Sequence, residues 1–322
     1  MENNKRRDDF SYYRLSSFLL SEGELEIKKI SSIKRNVFYI ESFSEEAFIL
    51  KAHQKEKMVH QQWGFFDKIN SNTTNIIPFK EFPNGNKTIT NNQFIWTISP
   101  YIVGRQLNYK NEEDRKDVTL ALKAFHEDAM KIHIKPVIKK TLIIERWHRR
   151  MQSFQRTKNI FLKHGFANLY MDIVQLTERY LSKLNRIPWS SYEVKALKNG
   201  TWIHGDVASH NFIKRGKVYL IDFDLLSCAP HIYDYIQLGQ RFLPYVNWDL
   251  DKLLSYNIVP RHDIEKWLLG ILVPSDVMRE WRHYLSSKSK IATPFYLQKM
   301  EQKWMKRKKF SKAVNKMLKS IY

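Results

Sequence analysis

The sequence predicts an α+β fold in which a β-rich region ending near Ile98 is followed by a mainly helical remainder. Three observations lead there. Short apolar runs broken by turn residues fill the region before position 100. Apolar stripes at three- and four-residue spacing dominate from position 112 onward. Strand-like runs return only at 201–204 and 212–223.

Taken in order, 37–40 and 47–51 read as antiparallel strands separated by the polar stretch 41–46. Residues 55–69 then place Met58, Trp63, Phe66 and Ile69 at positions compatible with a helix, ahead of the breaker-rich 70–78. A turn at 83–85 leads into a strand carrying Phe94, Ile95, Trp96 and Ile98, and 99–104 reads as an extended connection. Val118, Ala121, Leu122, Phe125, Ala129 and Ile132 form a helical stripe behind Glu112, Glu113 and Asp114, acids that favour a helix N-terminus. Ile173, Leu176, Tyr180, Leu181 and Leu184 mark another helix, and 263–272 a further one. Between them, Arg215 and Gly216 form the turn of a hairpin joining 212–214 to 218–223.

Composition excludes several classes. With 43% hydrophobic residues among 322, the chain has enough apolar surface to offset the entropy of ordering it, so it is not a disordered polyelectrolyte. The single cysteine, Cys228, makes neither an internal disulfide nor a cysteine zinc site, which points to a reducing, cytoplasmic setting. No run approaches the roughly 20 apolar residues of a membrane-crossing helix, so no transmembrane segment is expected. The balance of 54 Lys plus Arg against 33 Asp plus Glu gives a net charge of +21. Its densest part is the tail, with Lys303, Lys306, Arg307, Lys308, Lys309, Lys312, Lys316 and Lys319. Trp304, Phe310, Val314 and Met317 interleave with these charges at helical spacing. The tail therefore reads as an amphipathic closing helix with a solvated basic face, a surface suited to an anionic partner.

The most informative stretch is His204-Gly205-Asp206-Val207-Ala208-Ser209-His210-Asn211, followed by the hairpin and then Ile221-Asp222-Phe223-Asp224. Phosphoryl transfer needs a carboxylate to orient or deprotonate the acceptor hydroxyl and oxygen ligands to hold Mg²⁺ on the nucleotide phosphates. Asp206 supplies the first, and Asn211 with Asp222 the second. Carboxylate and amide oxygens suit a hard cation, which keeps phosphates and waters as its remaining ligands.

This spacing resembles that of the protein kinases, and Gly205 between the histidine and the aspartate resembles the small-molecule branch: aminoglycoside phosphotransferases, choline kinases and their relatives. Within that branch the sequence looks nearest the kinase-like proteins of spore-forming bacteria, spore-coat members included. The resemblance is specific from about 201 to 234 and elsewhere rests on order and spacing. It implies a bilobal protein-kinase-like fold, with 1–98 as an N-lobe, 99–104 as a hinge and 105–322 as a helical C-lobe carrying the catalytic hairpin and the basic C-terminal helix. It further implies ATP- and Mg²⁺-dependent phosphorylation of a hydroxyl on a small molecule, in a cytoplasmic or spore-associated protein.

Carried onto this sequence, the family's catalytic base corresponds to Asp206, with His204 positioning the loop by hydrogen bonding, and its metal ligands to Asn211 and Asp222. Lys51 stands where the family places its phosphate-binding lysine, Lys34 lies in the nucleotide-covering loop, and Tyr101 and Ile102 lie in the hinge that meets adenine. Asp234 corresponds to the family's structural aspartate. Two departures stand out. The covering segment 24–40 has no glycine, and the helix after Lys51 offers Gln61 or Gln62 where the family has a glutamate to hold that lysine. A catalytically weak or inactive kinase-like scaffold, retained in a spore layer, is therefore the alternative reading. Arg146, Arg149, Arg150 and Arg156 suggest an anionic or polyhydroxy acceptor and make a polycationic aminoglycoside a poor one.

Overall fold

The structure, a computed structural model, describes residues 2–70, 75–91, 93–135, 137–138, 143–287 and 291–320, and the side chains from Tyr12 onward. Positions 71–74 of the expected loop at 70–78 thus lie outside the described residues. The elements in chain order are α1 (Glu2–Gly23), β1 (Ile27–Lys34), β2 (Val37–Ser42), β3 (Ala47–His53), α2 (Glu56–Phe66), β4 (Ile89–Thr90), β5 (Ile95–Pro100), β6 (Arg105–Gln106) and α3 (Glu112–Asp128). There follow α4 (Ile143–Gln155), α5 (Lys158–Lys163), α6 (Ala167–Leu184), α7 (Trp189–Asn199), β7 (Trp202–Ile203), β8 (Phe212–Arg215), β9 (Lys217–Leu220) and β10 (Ser227–Cys228). The chain closes with α8 (Ile232–Phe242), α9 (Leu250–Leu254), α10 (Ile264–Leu272), α11 (Ser275–Ser286) and α12 (Thr293–Ser320). This is the α+β order that the periodicities predict, except that helix α1, which they do not predict, precedes the sheet.

Two compact units form. The first comprises Met1–Leu107, Ala121–Ile138 and His210–Leu226, and the second Asn108–Leu120, Lys139–Ser209 and Ser227–Tyr322. The units follow packing, whereas the lobes at 1–98 and 105–322 follow chain order, so the hairpin β8–β9 falls in the first unit.

In the first unit, β1-β2-β3-β5-β4 make an antiparallel sheet. Strand β3 alternates strictly, burying Phe48, Leu50 and Ala52 in one cluster with Leu19, Ile40, Trp96 and Ile98. The pleat sends Lys51 and His53 to the opposite face. Helix α1 supplies Leu19 to that cluster, with Leu15 and Phe18 packed against it. The tight turn from β1 to β2 has Asn36 at φ 63°, so an asparagine takes the left-handed position that a glycine commonly fills. The small sheet β6-β8-β9 runs Phe212 opposite Leu220.

The second unit is helical around a core that includes Trp202, Trp267, Trp281, Tyr180, Phe161 and Phe242, all fully buried. Strands β7 and β10 pair as Ile203 with Ser227 and Trp202 with Cys228, fixing the chain that enters the His204 loop. Helix α12 buries Trp304, Phe310, Val314 and Leu318 along one stripe. One tail expectation is corrected here: Arg307 is not on the solvated basic face. It is 2% exposed, forms an ion pair with Asp276 and lies 4.9 Å from the Trp248 ring. Its helical phase puts it between Trp304 and Phe310, where a guanidinium can stay only with a partner carboxylate. Among the described residues no helix is long and apolar enough to cross a membrane.

Candidate active site

Hairpin β8–β9 gathers the oxygen donors of the first unit. Beyond the Phe212–Leu220 pair the ladder continues, with the Ile221 N–H donating to the Asn211 carbonyl at 3.0 Å. Asn211, buried at 1% exposure, therefore lies at the same end of the hairpin as Asp222. Asp222 has φ 63° and ψ 66°, a left-handed backbone costing about 1 to 2 kcal/mol for a residue with a Cβ. Phe223 holds the chain in that conformation. It is buried, its ring centroid stands 5.4 Å from Phe66 and 5.7 Å from Phe125, and its carbonyl accepts from Gln62 at 2.8 Å.

Lys51 meets this turn from β3. Its ammonium donates to Asp222 Oδ1 at 2.7 Å and lies 2.6 Å from Asp224 Oδ2. Burial acts to lower the Lys51 pKa, but the two carboxylates outweigh it and hold the pKa above its ordinary value. Lys34, more exposed, reaches Asp222 Oδ2 at 3.4 Å. The glutamines of α2 do different work from that expected. Gln61 donates to the Leu226 carbonyl at 3.1 Å and accepts from the Ile138 N–H at 2.7 Å, while Gln62 holds Phe223. Both are buried and serve the backbone. The anionic partner that α2 lacks is supplied by Asp224, two residues beyond Asp222.

His53, on the same face of β3, shares a 2.9 Å hydrogen bond with Thr97. Burial first, and then the adjacent Lys51 charge, push its pKa down from 6.5 to about 4. The unfolded chain therefore takes up this proton first as pH falls, and stability present above pH 6.5 is lost progressively toward pH 4. In urea titrations at pH 7 and pH 4.5, His53→Gln should lose about 2 kcal/mol less than the parent between the two conditions. An equal loss in both would contradict this.

In the second unit the loop 204–209 is held by α8. The carboxylate of Asp234, fully buried, accepts from the N–H of His204 at 2.8 Å and from that of Gly205 at 2.9 Å. Gly205 has φ 83°, which a side chain would strain. The Asp206 N–H donates to His204 Nδ1 at 3.3 Å, so the imidazole proton sits on Nε2 and the ring orients the loop. Tyr109, buried, donates to the Val207 carbonyl at 2.7 Å. The Asp206 carboxylate accepts from Arg241 Nη2 at 2.7 Å. Arg241 escaped the sequence reading, although it lies two helical turns after Asp234 on the same stripe of α8.

The remaining expected residues lie in the connection after β5. The Tyr101 N–H donates to the Ala47 carbonyl at 2.8 Å, and its ring meets Tyr39 edge-on at 4.9 Å. The backbone groups of Ile102 make no hydrogen bond among the described residues and can meet a ligand edge. The described residues contain no group of three or more His, Cys, Asp or Glu arranged to hold a metal on their own. Asn211, Asp222 and Asp224 offer oxygen donors only, the chemistry a hard divalent ion takes together with phosphates and water, and here the two carboxylates are turned to Lys51 and Lys34.

No protein-family model and no curated protein matches the chain. Solved structures do. An aminoglycoside phosphotransferase from Alicyclobacillus acidocaldarius superposes with a TM-score of 0.70 at 17% identity, covering 94% of this chain and 95% of that one. An amicoumacin kinase in complex with AMP-PNP and Ca²⁺ gives 0.63 at 12% identity over 97% and 96%. A spectinomycin phosphotransferase bound to AMP gives 0.60 at 16% over 85% and 90%. At these identities the likeness establishes the fold, and the α+β fold of this chain is that of the kinase-like phosphotransferases.

Proposed function

We propose that the protein is a phosphotransferase that moves the terminal phosphoryl group of ATP to a hydroxyl of a small molecule. The observation that supports this best is the grouping at the end of the β8–β9 hairpin, where Lys51 is held by Asp222 and Asp224 beside Asn211. Asn211 and Asp222 would hold Mg²⁺, with Asp224 near enough to assist. Bound there, the ion would neutralise charge on the nucleotide phosphates. Lys51 and Lys34 would contact those phosphates, exchanging part of their present pairing with Asp222 for phosphate oxygens. Ile102 would offer its backbone to adenine, with Tyr101 beside it.

Asp206 is assigned the acceptor hydroxyl. Its carboxylate would orient that group and take its proton as the new oxygen–phosphorus bond forms and the bond to the departing ADP breaks. Arg241 fixes the carboxylate, and His204 and Asp234 fix the backbone that carries it. Loss of the helix glutamate does not by itself argue for an inactive scaffold, because Lys51 keeps two anionic partners.

A calorimetric titration with ATP and Mg²⁺ tests the reading. Binding at submillimolar nucleotide is expected, and no heat at millimolar nucleotide would overturn it.

A further inference from the structure

The second unit contains a cavity of about 1120 Å³ between α11 and α12. Six lysine and arginine side chains line it against only two carboxylates, Asp276 and Glu280. Asp276 is committed to Arg307 through Oδ2, while its Oδ1 is buried without a hydrogen-bond partner among the described residues. Arg307 is 2% exposed, and its Nη1 has no hydrogen-bond partner among the described residues, so a buried cationic donor on this wall remains unsatisfied. Arg279 and Arg282 make no ion pair or hydrogen bond among the described residues.

A second crowd of guanidinium groups stands behind that wall. Arg150 of α4 shares a small crevice with Arg282 and donates to Ser275 Oγ at 3.2 Å. Burial, and then Arg279, Arg146 and Arg282, push the Arg150 pKa down to about 10. Of the four arginines that the sequence singles out, Arg149 instead faces Glu145 on the exposed side of α4. Like charges placed together repel in the folded protein, and a bound anion relieves that repulsion with charge-assisted hydrogen bonds. Tyr284 and Tyr296, with ring centroids 4.0 Å apart, add an aromatic wall of the kind against which a sugar ring packs.

From this we infer that the cavity binds an anionic polyhydroxy compound, a phosphorylated or carboxylated sugar, whose charge is met by Arg279, Arg282 and Arg307. The ligand class is read directly by isothermal titration without nucleotide, using glucose 6-phosphate, glucuronate, glucose and kanamycin at low salt. At least one of the two anions should bind, more tightly than glucose or kanamycin, and the tighter anion tells phosphate from carboxylate. Arg279→Gln combined with Arg282→Gln, neither of them a buried residue, should weaken that binding about tenfold or more.

Equal binding of glucose, preference for kanamycin, silence with both anions, or an unchanged affinity in the double variant would each overturn the inference. A parallel titration with MgATP keeps the two levels apart. Anion binding without nucleotide binding would sink the phosphotransferase reading and support the ligand class. Nucleotide binding without anion binding would do the reverse.

Discussion

Replacing Asp222 with asparagine is expected to cut phosphoryl transfer about a thousandfold or more while leaving the protein folded. The carboxylate is proposed to hold the metal, and an amide supplies one neutral oxygen in place of two charged ones. Folding should survive for two reasons visible in the first unit. Lys51 is not stranded by the change, because Asp224 Oδ2 remains 2.6 Å from it. The backbone at φ 63° also suits asparagine nearly as well as aspartate, whereas Asp222→Ala would add strain there. Activity at a hundredth of the parent or above, in a variant whose thermal unfolding matches the parent within a degree or two, would remove Asp222 from the mechanism.

Asp206→Asn should lower kcat by about a hundred- to ten-thousandfold, the range that a positioned general base contributes. Binding of MgATP should not change, because Asp206 is assigned to the acceptor and the nucleotide to Lys51, Asn211 and Asp222. The loop should keep its shape. The amide oxygen of asparagine can still accept from Arg241, and the two backbone bonds to Asp234 do not involve the substituted side chain. A loss confined to nucleotide affinity, with kcat intact, would show that Asp206 serves binding and not proton transfer. Calorimetry and steady-state rates on the same preparation separate these outcomes.

The hairpin and its flanking residues were legible in the sequence because their information is local. The turn at Arg215 and Gly216 sets the register of Phe212 against Leu220, and that register alone brings Asn211 and Asp222 to one end. Lys51 was singled out by the resemblance, and the alternation of β3 agrees with it, since Phe48, Leu50 and Ala52 claim the other face. Residues whose roles depend on partners distant in sequence were not. Gln61 and Gln62 occupied the expected helix but turned to the backbone of Leu226 and Phe223, more than 160 positions away. Arg307 looked like one charge in a solvated row until Asp276 and Trp248 closed around it. Helix α1 was missed for another reason. Its charged first half masks the short apolar stripe of Leu15, Phe18 and Leu19, and the sheet it covers supplies the stabilisation that its own composition lacks.

The proposed chemistry requires Asp222 to help hold a divalent ion together with a nucleotide. Electron paramagnetic resonance of Mn²⁺, titrated with protein in the presence of a non-hydrolysable ATP analogue, reads this directly. The account predicts that the parent protein broadens the Mn²⁺–nucleotide signal and that Asp222→Asn leaves it close to that of Mn²⁺–nucleotide in buffer. A signal unaffected by the parent protein, or broadened equally by parent and variant, would contradict it.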